Sequence, residues 1–247
     1  MLGITSITYY FAVEKVNARS QTLKISTARQ DMLSLDESVL SVAWQPGSAR
    51  LVEVADSGGR IIVQPQLNSL SLTISDGQDI HAEIFNQTIA KVRYELPYSN
   101  SPDSGLYLRG DSRSIVNQSG SLMTQLSIER GVSYSEIVLK YRPTVSSVVS
   151  GEENGKPVNT VRVYIVNLNS SETIATYGKI PLRISCESDA VTSTRFEVSY
   201  LIEKLSIESL LGGVAGRVTI PVSASPSGAV LSVQIIECNV KIERSLR

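Results

Sequence analysis

The chain changes its hydrophobic period once, at Gln45-Pro46-Gly47, and that single change limits what it can fold into. Upstream, Ile4 to about Ala43 holds no Gly or Pro and carries apolar residues at Ile4, Ile7, Phe11, Ala18, Ile25, Met32, Val39 and Ala43. Spacings of three, four and seven describe one stripe on a helix, not the alternation of a strand. Pro46 disfavours helical geometry in the residue before it, and Gly47 frees the backbone to turn. The sequence therefore predicts a long amphipathic helix that stops at this tripeptide.

Downstream the period falls to two. Leu70, Leu72 and Ile74 alternate with Ser71, Thr73 and Ser75, and the pattern returns at Ile80, Ala82, Ile84 and at Ala90, Val92, Tyr94, Leu96. It recurs at Leu122, Leu126, Ile128, at Ile137, Leu139, Tyr141, at Val161, Val163, Ile165 and at Ile180, Leu182, Ile184. The last two sets are Phe196, Val198, Tyr200 and Val218, Ile220, Val222. Alternation gives each strand a buried and a wet side. Turn signals separate the runs at Asp56-Ser-Gly-Gly59, Asp76-Gly77, Ser101 to Gly105, Gly151 to Pro157 and Ser225-Pro-Ser-Gly228. Ser and Thr make up roughly a fifth of the residues, a composition that suits strands better than long helices. The expected fold class is mainly β: an antiparallel β-sandwich, one elaborated or two, preceded by a long N-terminal amphipathic α-helix. Residues 1–45 form the helical stalk and 46–247 the β ectodomain, with a candidate seam near 98–120, where Ser, Asp, Asn and Gly concentrate. Tyr200 to Gly216 reads equally as strand or as a short helix capped by Gly212-Gly213, and the phase slip between Ile235 and Ile236 predicts a β-bulge in the last strand.

Chemistry is sparsely equipped. Twenty-three Lys and Arg against 24 Asp and Glu give a net charge of -1, so no polyanion is attracted and no nucleic-acid role is expected. One His and two Cys exclude most zinc sites and multi-cysteine clusters, and no cofactor or metal is expected. His81 shares the polar face of Ile80-His-Ala-Glu-Ile84 with Glu83 and reads as a surface residue, with no Gly-x-Ser-x-Gly elbow to supply a nucleophile. The acid pairs Asp76/Asp79, Asp103/Asp111, Glu152/Glu153 and Glu187/Asp189 fall in turns or at strand ends, where carboxylates serve the backbone. Neither the two-acid arrangement of a glycosidase nor a complete calcium loop between Asp103 and Asp111 is spelled out. Leu211-Gly-Gly-Val-Ala-Gly216 lacks the Lys and Ser/Thr of a phosphate loop and reads as a turn. Trp44 and Tyr9-Tyr10-Phe11 read as packing residues. The expectation is a chain that is not an enzyme.

Three features bear on compartment. Cys186 continues the buried phase of Ile180 to Ile184 and Cys238 that of Val240 and Ile242, so both point into a core, either as a disulfide or as two buried thiols. A bond closing a loop of about 50 residues would contribute ~4 kcal/mol in the chain-entropy view. Asn86-Gln-Thr88, Asn117-Gln-Ser119 and Asn169-Ser-Ser171 are candidate N-glycosylation sites beside strands. The uncharged run Ile4 to Val13 is too short to cross a hydrocarbon layer that needs about 20 residues, and no secretory signal is present. The sequons, the possible disulfide and the all-β design together point outside the cell.

The helix from Ile4 to Ala43, the break at Pro46 and the Ser/Thr-rich strands from Leu51 to Ile242, in particular Leu51-Val-Glu-Val54 and Gly58-Gly59 leading to Ile61-Ile-Val63, resemble archaeal cell-surface proteins of the type IV pilin and flagellin-like kind. That resemblance implies an N-terminal hydrophobic helix, here represented by its tail Ile4 to Val13, with a membrane anchor expected upstream of the given sequence. It also implies a non-enzymatic structural or adhesive ectodomain, extracellular or at the cell surface, with protein partners or self-association through the helix and edge strands. The alternatives are a virion structural protein with jelly-roll-like strands and a carbohydrate-binding module.

Overall fold

A computed structural model describes residues 2–96, 104–118, 122–131 and 134–245, with side chains from residue 12 onward. Among the described residues a single helix, α1 (Leu2–Val42), is followed by fourteen strands: β1 (Ala49–Val54), β2 (Arg60–Ser75), β3 (His81–Glu95), β4 (Tyr107–Arg109), β5 (Val116–Asn117), β6 (Thr124–Arg130), β7 (Ser135–Tyr141), β8 (Thr144–Glu153), β9 (Lys156–Asn167), β10 (Ile174–Tyr177), β11 (Ile180–Val198), β12 (Lys204–Leu211), β13 (Val214–Pro221) and β14 (Ala229–Arg244). One sheet runs β1-β11-β14-β9-β8-β5; the other runs β13-β12-β2-β3-β7-β6-β4, with β10 added along β2. The mainly β class and the leading helix are as the sequence predicts. Pairing is antiparallel except at β14 with β9 and β5 with β8, a detail that alternation alone does not specify.

The helix is not a free rod. Ala28, Met32, Leu35, Val39 and Val42 repeat at intervals of four and three and are all buried, whereas every residue from Ala12 to Leu23 is exposed. At 1.5 Å per residue, the half before Lys24 extends about 33 Å beyond the point where burial begins. The buried half packs among Val52, Ile61, Val92, Tyr94, Leu126, Ile137, Leu182, Ile184 and Val240, drawn from both sheets. Burying each large side chain there stabilises the fold by about 2 kcal/mol.

A second core lies entirely between strands: Leu72, Ile74, Phe85, Val161, Val163, Leu205, Ile207, Leu231 and Val233. The two cores do not follow one another along the chain, because β2, β3, β9, β11 and β14 contribute to both. In β14, Ala229, Leu231, Val233 and Ile235 face the second core, then Cys238, Val240 and Ile242 face the first. The parallel register with β9 is unbroken through this change, so odd and even residues lie on opposite faces, and the strand buries one face in each half. β9 does the same with Val161, Val163 and Ile165, then Val166. The phase slip at Ile235 and Ile236 is thus real, but the bulge predicted there is not on β14. The extra residue sits on β11, at Glu187, between Cys186 and Ser188. That insertion lets β11 turn its even-numbered residues from one core to the other.

Within the ambiguous segment 200–216, residues 204–211 and 214–216 are strand. β12 and β13 form a hairpin whose two turn residues, Gly212 and Gly213, have φ of 55° and 85°, the positive pair that a type I′ turn requires. Ile80, Leu96, Leu122, Tyr200 and Val222, read as strand positions, fall just outside β3, β6, β11 and β13.

Because the helix stripe is core and the preceding turns are not, truncation should separate them sharply. Leu35→Ala is expected to lower unfolding free energy by about 2–5 kcal/mol and Leu23→Ala by less than about 0.5 kcal/mol, measured by urea denaturation.

Candidate interaction surface and the joints that hold it

The helix carries carboxylates into its buried half, and each is met by donors from the sheets. Asp36 is wholly buried; Thr124 Oγ1 (2.8 Å), Tyr141 Oη (3.0 Å) and Arg109 Nη1 (2.7 Å) all donate to it. Burial pushes its carboxyl above the ordinary range, and the three hydrogen bonds offset part of that shift. The same desolvation, with Asp36 alongside, pushes the Tyr141 phenol well above its usual value. Arg109 also reaches Glu37 (2.8 Å), and Asp31 accepts the N–H of Ala55 (2.8 Å) just past β1. These contacts fix the rotation of the helix about its axis, which apolar packing alone leaves loose.

A second joint lies beyond β4. Arg142 is almost fully buried, donates to the carbonyls of Leu122 and Arg113, and forms an ion pair with Asp111. Hydrogen bonds from Arg113 and Arg142 hold the Asp111 carboxyl far below the usual carboxylate range. Asp111 is therefore a structural anion; its sequence partner in the calcium reading, Asp103, lies outside the described residues.

The other sequence candidates are dispersed. His81 is exposed at the start of β3 opposite Ser75. Asp76 caps its own turn by accepting from the N–H groups of Gln78 (2.8 Å) and Ile80 (3.0 Å), and it accepts a hydrogen bond from Tyr200. Glu153 pairs with Arg195 (2.8 Å) across strand ends. Asn86 is exposed and donates to Glu83 (3.1 Å), and Asn117 is exposed on β5. Asn169 differs: its side-chain oxygen accepts the N–H of Gln66 (3.0 Å), and its amide nitrogen donates to the carbonyl and hydroxyl of Thr88. An oligosaccharide on that nitrogen would break a bridge between the loop after β9 and strand β3. Cys186 and Cys238 are brought together in the first core as free thiols, with sulfurs 3.5 Å apart.

Cavities open on the surface at several places among the described residues. One of about 310 Å³ is lined by Leu40, Trp44, Met123, Thr144 and Tyr164, with Trp44 edge-on to Tyr164 at 5.6 Å. Another, about 500 Å³, lies over Ser71, Thr73, Glu208, Ala215 and Arg217, where Arg217 is already paired with Glu208. A third, about 240 Å³, is lined by Ile84, Asn86, Ala190, Thr192 and Glu237. His81 lines none of the three. The exposed features of greater reach are the projecting half of α1, with Val13, Val16 and Leu23 in solvent, and the outer edge of β11. Pairing with β1 stops at Ser185, so among the described strands residues Glu187 to Val198 pair with β14 alone. Glu187, Asp189 and Arg195 place charges along that open edge, and the bulge twists its start, two devices that discourage indiscriminate strand addition.

Sequence reasoning missed Asp36 and its partners. The available signal was a carboxylate set four residues after Met32 and three before Val39, inside the apolar stripe. No family model matches the chain, and no curated protein or solved structure matches it. No helix among the described residues is long and apolar enough to cross a membrane.

Removing the Asp36 carboxylate strands Tyr141, Thr124 and Arg109, so Asp36→Ala is expected to cost about 3 kcal/mol in chemical denaturation. The depressed Asp111 value has the opposite pH signature from the raised Asp36 value. Its contribution is present above the ordinary carboxylate range and is lost as pH falls through about 4 toward 2. Asp111→Asn should therefore cost about 1–2 kcal/mol at pH 7, a figure reduced for its partial exposure, and the gap from wild type should close in acid.

Proposed function

We propose that the chain is a non-enzymatic structural or adhesive head carried on a projecting helix, exported and displayed at a cell surface or in a filament, as the likeness to archaeal type IV pilin-like proteins implies. The observation that carries this reading is the division of α1: one half anchored in the first core by Met32, Leu35, Val39 and Asp36, the other half standing in solvent with Val13, Val16 and Leu23 uncovered. Val13, Val16 and Leu23, spaced three and seven apart, share one side of the projecting helix, a different side from the buried stripe, and that uncovered apolar line is a natural contact for a second helix. The head supplies a rigid base, and the open edge of β11 adds a second place where an extended segment can pair. The exposed Asn86 and Asn117 sequons suit an extracellular surface.

Association of the full chain tests this. Light scattering and negative-stain images should show self-association or filaments, weakened at least tenfold by Val16→Glu together with Leu23→Glu without a change in melting temperature. A strictly monomeric chain at high concentration would count against the reading. Closed shells would favour the virion alternative, and specific capture on a glycan array the carbohydrate-binding one.

A further inference from the structure

The turn that ends α1 is fastened to one place. Gly47 donates its N–H to the carbonyl of Cys186 (2.9 Å), and the N–H of Cys186 donates to Ser48 (3.1 Å). Trp44, three residues earlier, has φ of 68°, a left-handed conformation rare for a bulky side chain. In that conformation its N–H is aimed at Cys238 Sγ, 3.4 Å away. The bulge at Glu187 then sets Asp189 opposite Cys238 across the β11–β14 pair, while Cys186 stands opposite Val240. A helix exit, a bulged strand and the last strand thus converge on two sulfurs and a carboxylate.

The spacing of these atoms is that of ligands around one ion. The sulfurs are 3.5 Å apart, Cys186 Sγ and Asp189 Oδ1 are 3.8 Å apart, and all three ligand atoms lie within 4.8 Å of one another. With zinc–sulfur bonds of about 2.3 Å and a zinc–oxygen bond of about 2.1 Å, those two separations correspond to angles of roughly 100° and 120° at the metal, either side of tetrahedral. Both cysteines are buried and Asp189 is exposed, so the ligand set is apolar-walled on one side and reachable from solvent on the other. The Trp44 N–H is the kind of donor that stabilises a thiolate once a metal has displaced its proton.

We propose that Cys186, Asp189 and Cys238 bind a thiophilic divalent ion of the zinc class, with a fourth position open to water or to a donor from a neighbouring molecule. Each thiol releases its proton to solvent as its sulfur–metal bond forms, and no electron is transferred. Bound there, the ion ties the end of α1 to β11 and β14.

The probe is cobalt(II) alone, added to the full chain kept reduced and free of chelator. A thiolate-to-cobalt charge-transfer band and intense tetrahedral d–d bands should saturate at one equivalent and be displaced by zinc(II). Cys238→Ser should abolish the charge-transfer intensity or cut it at least tenfold. Asp189→Asn, at an exposed position that leaves the fold intact, should weaken cobalt binding at least tenfold, while His81→Ala should leave it unchanged. Absence of the bands from folded, reduced protein overturns the proposal. So does binding that survives in Asp189→Asn and Cys238→Ser alike, or a protein isolated as the disulfide that, once reduced, still takes up no cobalt.

Discussion

The burial of half a helix between two sheets is the constraint on which the remaining features depend. A helix surrounded by strands must be apolar along the enclosed stripe, and Ala28, Met32, Leu35, Val39 and Val42 meet that demand. It must also satisfy any polar group carried inside. Asp36 is the buried charge of the helix, and it is held by three donors from three different elements, β4, β6 and β7. Desolvating a carboxylate is unfavourable, so this cluster adds more to orientation than to net stability. Its effect is to set which side of α1 faces the sheets.

The strands answer a second demand. One sheet has to cover the helix on one face and meet the other sheet's far half on its opposite face. β9 and β14 achieve this by changing which parity of residue is buried, and β11 does so by inserting Glu187. The bulge is thus a consequence of shared strands, and it is also what sets Asp189 against Cys238.

Much of the fold was legible because hydrophobic period is a local property. The stop at Pro46, the buried phase at Ile25, Met32 and Val39, and most of the strand alternations can be read from neighbours within a few residues. What was not legible depends on remote partners. Whether a phase slip is a bulge or a change of covered face requires knowing what lies on each side of the sheet, so the insertion was expected on β14 and is found on β11. The strand identity of 205–211 was ambiguous because Leu205, Leu210 and Leu211 suit either period, and the pairing with β2 decides it. The inward phase of both cysteines was readable, but their company was not: Asp189 belongs to the site only because one extra residue realigns β11, and Trp44 only because the chain doubles back onto Cys186.

Five strands that each pass through both cores also govern how the molecule comes apart. Where two hydrophobic clusters belong to successive chain segments, one can melt while the other persists. Here, fraying of the first half of β14 loosens the strand where its second half enters the other cluster, and the same holds for β2, β3, β9 and β11. The clusters are therefore joined in a single cooperative unit, and slow amide exchange should extend evenly across them instead of stepping from one to the other.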